Sequence, residues 1–170
     1  MVATTNAALT GLGKGPMLPA RPMDEKFQKA EAAVEKAIAS FGVNAADVRV
    51  KADDTAVTYS LMRGSALTLI TVAKREDDTV LRVICPVMSL PDSEKHLAFF
   101  QRLLELNASM IVGSAAFALA GERVVVVSER PVAGMDEHEA AHVIRRASAV
   151  ADTFDDRLVR EFGGQRASQR

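Results

Sequence analysis

Between Val57 and Ile84 the chain runs through three short stretches of strand-like residues, separated only by turn-length insertions. Val57, Tyr59 and Leu61 oppose Thr58, Ser60 and Met62. Leu67 to Val72 follows Arg63-Gly64-Ser65, and Val80 to Ile84 follows Glu76-Asp77-Asp78-Thr79. A period of two marks a half-buried strand, and insertions this short admit only hairpin connections. The pattern predicts an antiparallel meander, because parallel neighbours need crossovers of about a dozen residues or more. Val48 to Lys51, just upstream, reads either as an edge strand or as a lead into the sheet.

Helical periodicity brackets the meander. From Asp24 to Phe41, the residues Phe27, Ala30, Val34, Ala37, Ile38 and Phe41 recur at steps of three and four, and Gly42 is a natural stop. Pro91-Asp92-Ser93 announces a second helix, with Asp92 or Ser93 as its cap. Its expected inward stripe is Leu97, Phe100, Leu103, Leu104 and Leu106, and Asn107 is expected as a left-handed stop. Two strands follow, Met110 to Leu119 and Arg123 to Glu129, joined at Ala120-Gly121-Glu122. A last helix runs from Glu137 to Phe162 on the seam Val143, Ala147, Val150, Phe154 and Leu158. The order α-β-β-β-α-β-β-α describes an α+β domain over residues 24–162, with about five antiparallel strands and three helices. Residues 1–23 and 163–170 read as flexible tails.

Composition removes several function classes. With 22 acidic and 21 basic residues the formal charge is −1, so no basic field draws the chain to nucleic acid or anionic lipid. There is no Trp and a single Tyr, which weakens base stacking as a binding mode. No apolar run approaches the roughly 18 residues of a membrane span. The single cysteine, Cys85, forms no internal disulfide, and a reducing, cytoplasmic setting is expected.

From Leu103 onward the spelling becomes specific. Leu103-Leu104-Glu105-Leu106-Asn107, a Gly-containing strand ending Phe117-Ala118-Leu119, Val124 to Val127, the step Glu129-Arg130-Pro131-Val132 and the pair Ala151-Asp152 together resemble the YbjN-like family. That family is described as bacterial sensory-transduction regulators and shares its fold with type III secretion chaperones. The resemblance implies a chaperone-like or regulatory role exercised through protein contacts, and a homodimer. Secretion chaperones are usually markedly acidic and this chain is not, which favours the YbjN-like side. The second helix and following strand are the expected interface, with Leu97, Phe99, Phe100, Leu103, Met110 and Val112 as candidates. Phe99 is the residue to watch, since it stands near the edge of the expected inward stripe.

One pentapeptide argues for a different class. His138-Glu139-Ala140-Ala141-His142 spells H-E-x-x-H, in which two His on one helix face bind zinc and the Glu activates water. Three physical points oppose a zinc hydrolase. Asp136 and Glu139 form a capping box, which gives Glu139 a local task. The two His lie off the seam, toward solvent or a partner. Glu161, a conceivable third ligand, sits on the same helix about 28 Å from His142 at 1.5 Å per residue.

Other features read as structural. Gly11-Leu12-Gly13-Lys14-Gly15 lacks the spacing and the preceding strand of a phosphate loop. Cys85 reads as a buried thiol, His96 and Arg145-Arg146 as surface, Asp53-Asp54 and Asp77-Asp78 as turn chemistry, and Ser114 lacks a nucleophile elbow. The expectation is a non-catalytic protein-binding module without cofactor, in which Met62, Met88, Met110 and Met135 either adapt to apolar segments or fill core. A zinc-dependent hydrolase and a structural adaptor are the alternatives.

Overall fold

A computed structural model describes residues 22–109 and 111–167. The elements run α1 (Pro22–Ala39), α2 (Ala45–Val48), β1 (Arg49–Ala52), β2 (Ala56–Arg63), β3 (Ala66–Lys74), β4 (Thr79–Ser89), α3 (His96–Ala108), β5 (Ala116–Ala120), β6 (Arg123–Pro131) and α4 (Glu137–Phe162). The strands form one six-stranded sheet in the order β1-β2-β3-β4-β6-β5, with every neighbour antiparallel. The meander stands as expected, in the register Tyr59↔Ile70 and Ile70↔Val83. The sixth strand is β1, held on the sheet edge by Arg49, which reaches Glu31 (2.8 Å), Glu35 and the Tyr59 hydroxyl.

Period-two alternation sends one face of each strand to the core. Val57, Tyr59, Leu61, Ile70, Val72, Leu81, Val83, Cys85, Val124, Val126 and Phe117 are buried on that face, together with the α1 residues Val34 and Ile38. The seam of α4 covers them, and Val143, Ala147, Val150, Phe154 and Leu158 are all buried. Asp136 caps this helix by accepting the Glu139 N–H (2.8 Å), one of the free donors of the first turn. Pro86 sits inside a central strand because β4 carries a bulge between Pro86 and Met88, where the missing N–H is tolerated.

The β2–β3 turn is fastened to α4. Gly64 has φ +60, and a Cβ there would fall 2.4 Å from Asp152 Oδ1, so only glycine fits. Ser65 N–H donates to that oxygen (2.6 Å), and Ser65 Oγ lies 2.7 Å from both Asp152 Oδ1 and Asp155 Oδ2.

Several expectations are corrected. No side chain caps α3 at Asp92; a single 3-10 turn, Ser93–Lys95, precedes the helix instead. Asn107 is helical, and Ser109 ends α3 with its hydroxyl on Leu106 O (2.6 Å). The strand expected from Met110 begins only at Ala116. Residues 111–114 are turns, pinned because Arg146 donates to the carbonyls of Ile111 and Val112. Arg146 therefore has a structural task, where a solvated face was expected. Met110 and the Gly11–Gly15 stretch lie outside the described residues. The segment after α4, read as a frayed end, is tethered as far as Arg166. Ser89 N–H donates to Gln165 O (2.9 Å), and Arg166 pairs with Asp155 (2.6 Å) and Asp156 (2.9 Å).

The Ser65 hydroxyl and N–H hold the Asp152 carboxyl below its usual range. A carboxylate depressed on folding adds stability above its unfolded pKa, about 4, and loses it as pH falls through the folded value. Asp152→Asn should therefore lower the melting temperature at neutral pH, with the gap to wild type shrinking as pH falls below about 4. An unchanged gap across that range would contradict the assignment.

Candidate functional site

The zinc-protease spelling occupies the first two turns of α4. His138 is 88% exposed at its side chain, and His142 is also on the solvent side. Glu139 pairs with Arg130 of β6 (3.3 Å) while its N–H serves the Asp136 cap. Glu161 lies at the far end of the same helix and pairs with Arg102 (3.8 Å). Among the described residues, no three His, Cys, Asp or Glu side chains gather as metal ligands. A shallow hollow beside His138 is lined by Lys29, Lys36, Asp136 and Glu137; Asp136 is taken by the helix cap, and Glu137 pairs with Lys36 (3.7 Å).

α3 lies beside β5 on the helix side of the sheet. Its buried residues are Phe99, Leu103 and Leu106: Leu103 and Leu106 belong to the expected stripe, and Phe99 faces the core in place of Leu97, Phe100 and Leu104. Phe99 is fully buried and meets the Phe162 ring edge-on at 5.1 Å. Leu97 and Leu104 instead stand 83% and 68% exposed, with Phe100 half-buried between them. The helix is apolar on two sides, so spacing alone does not choose its inner face; the ring of Phe162 does. Val112 is buried in the core. Of the candidate interface residues, Leu97 and Phe100 remain accessible, and Leu104, Ile111 and Leu119 join them as exposed apolar side chains.

The opposite face of the sheet has no helix among the described residues. Paired positions place Leu69, Ile84, Val127 and Ala116 in one row across β3, β4, β6 and β5. Val125 stands between Pro86 and Ala118 in the next row, and Leu67 lies opposite Met62. Leu67, Leu69, Ile84, Pro86 and Val127 are only partly buried, and Met62 is exposed. A polar row bounds this apolar band: Thr58 and Thr71 share a hydrogen bond (3.0 Å), and Arg82 pairs with Glu129 (3.0 Å). Arg75 reaches the same Glu129 oxygen (2.7 Å).

A sheet covered on one side by described helices and an exposed apolar helix stripe suit capture of protein segments. Residues 28–170 match the family described as T3SS (YopN, CesT) and YbjN peptide-binding chaperone 1, TY-Chap1. The chain belongs to this family. Among solved structures it is similar to one in the ExsC–ExsE complex, with a TM-score of 0.57 at 12% identity, covering 78% of this chain and 95% of that one. A second is in the heterodimeric ExoU–SpcU complex from the type III secretion system of Pseudomonas aeruginosa. There the TM-score is 0.51 at 16% identity, with 75% and 96% covered. None of the curated proteins matches the chain.

The α+β expectation and the YbjN-like resemblance therefore hold, with six strands for about five. For this TY-Chap1 member the apolar band on the open face escaped the sequence reading, although a signal was present. Val124 to Val127 is an unbroken apolar run, and such runs mark strands whose two faces both meet apolar material. The methionines divide: Met62 is exposed, Met88 is fully buried, and Met135 packs partly against the core. Cys85 lies in the core, where burial pushes its thiol up to about 11, well away from a nucleophile's range. His96 is held at Pro91 O (2.9 Å), and Asp53 closes its turn by accepting from Thr55 and Ala56. Among the described residues no helix is long and apolar enough to cross a membrane.

Removing either histidine should leave the fold untouched, because exposed substitutions shift stability by about 0.5 kcal/mol or less. His142→Ala is expected to melt with the wild type, and protein purified without chelator should hold far less than one zinc per chain. Stoichiometric zinc would restore the hydrolase reading.

Proposed function

We propose that this chaperone-family member holds an apolar segment of a client polypeptide against the helix-free face of its sheet, and that it works as a homodimer joined through α3. The observation that carries the first part is the band of Leu67, Leu69, Ile84, Pro86 and Val127, which no described element covers. Contiguous apolar surface rimmed by polar groups marks a contact site, and the Arg75/Arg82/Glu129 cluster supplies such a rim. Few fixed polar groups lie within the band, so recognition there runs through side-chain packing and tolerates varied sequences.

The second part is supported by the α3 stripe. Leu97, Phe100 and Leu104 are spaced at three and four residues along one face. Ile111 and Leu119 add exposed apolar surface in the turn and strand that follow. A self-complementary patch of this kind is what a two-fold dimer uses.

A photo-crosslinking residue at Ile84, with another at His142 as control, tests the client face in the native host. Ile84 should yield a discrete adduct whose partner peptide is identifiable by mass spectrometry, and His142 should not. Equal adducts from both positions, or none from Ile84, would remove the open face from the account.

Sedimentation tests the dimer. Leu104→Glu should convert a dimer to a folded monomer at tens of micromolar, about where weak dimers dissociate. Phe99→Glu should instead unfold the chain, because it places a charge in the core. A wild type that is monomeric at that concentration would leave a solitary binding module.

A further inference from the structure

Asn107 stands on the outer edge of β5. Its side-chain amide meets the Phe117 backbone twice. Phe117 N–H donates to Asn107 Oδ1 (2.7 Å), and Asn107 Nδ2 donates to Phe117 O (3.1 Å). This pair of bonds is what the facing residue of a neighbouring strand would supply. Phe117 lies opposite Val126 of β6, and its backbone groups are turned away from that strand to meet Asn107. Alternation puts the backbone groups of Ala115 and Leu119 on the same outer side. Ala115 N–H already donates to Val112 O (3.1 Å), so the turn and Asn107 together close the edge up to Leu119.

The two ends of the sheet are defended differently. β1 carries Arg49 and Lys51 and a register shift between them, both devices that discourage further strand pairing. β5 reads Ala-Phe-Ala-Leu-Ala and has no charge, proline or bulge of its own. It also lies beside the apolar α3 stripe that draws a second copy near. An uncharged edge in that position is a template for sheet extension unless something occupies it.

We infer that Asn107 is a surrogate strand: it closes the β5 edge to a second copy of this chain and leaves the side chains of α3 as the contact. The nature of that contact rests on the dimer reading above; the closure of the edge does not. Leu119, 48% exposed and next along the outer side, is the position at which a charge would take over the same duty.

The test uses three full-length chains: wild type, Asn107→Ala, and Asn107→Ala with Leu119→Lys. Asn107→Ala should speed amide exchange at Phe117 about tenfold, as expected when a hydrogen bond is lost. It should also form assemblies that grow with concentration and bind thioflavin. The double variant should return to a discrete species, a monomer if the lysine also weakens the dimer patch to which Leu119 belongs, because a charge blocks edge pairing but does not repair a weakened fold. Should Asn107→Ala fail to fold, Asn107→Asp keeps the acceptor for Phe117 N–H and is expected to grow more slowly, again with suppression by Leu119→Lys. Wild-type exchange and assembly in Asn107→Ala would overturn the inference, as would growth that the lysine leaves unchanged. A monomeric wild type beside a growing Asn107→Ala chain would support the closure and remove only the dimer.

Discussion

The structure depends on one unequal arrangement: six strands lie side by side, and the helices gather on one face of them. α4 is 26 residues long, and twelve of its residues are buried, Asp155 and Ser148 included. Burying a side chain the size of Val, Leu or Phe contributes about 1.5–3 kcal/mol, so the seam from Val143 to Leu158 is among the largest favourable contributions. α1 lies alongside it and fastens β1 through Glu31, Glu35 and Arg49. Nothing comparable lies over the other face among the described residues. That face leaves Leu67, Leu69, Ile84 and Val127 only partly buried, and the chaperone reading grows from that imbalance.

Edges follow from the same geometry. A six-stranded sheet that does not close has two of them, and each is met with different chemistry. At β1 the answer is charge and irregularity, readable from Arg49 and Lys51. At β5 it is one amide borrowed from a helix, which nothing in the strand's own spelling announces. The C-terminal segment supplies a third, local cover where β4 runs on past β3, with Arg166 opposite Met88.

Much of the fold was legible because its periodicities are unambiguous. The meander, the α1 face and the α4 seam each repeat one spacing with polar residues opposite, and all stand where expected. The orientation of α3 was not legible, since Leu97, Phe99, Phe100, Leu103 and Leu104 offer two apolar faces and only contact with Phe162 selects one. The start of β5 was misplaced because Ile111 and Val112 look like strand residues. Their turn is fixed by Arg146, distant in sequence. Asn107 was assigned a backbone role on the strength of its position after a leucine-rich helix. Its actual partner, Phe117, is invisible to any local pattern. The two histidines of the H-E-x-x-H spelling stand on the solvent side, as the seam predicts, because seam geometry decides which way a helical side chain faces.

The fastening of Ser65 to Asp152 joins residues 87 positions apart. Contacts so distant along the chain slow folding, because a long loop must close before they form. They also set an order of events during synthesis, which proceeds from the N-terminus. The strands emerge from the ribosome before α4, and while that helix is still being made the core face of the nascent sheet has only α1 and α3 to cover it. A member of a peptide-binding chaperone family thus exposes, for the last part of its own synthesis, apolar surface of the kind that chaperones bind.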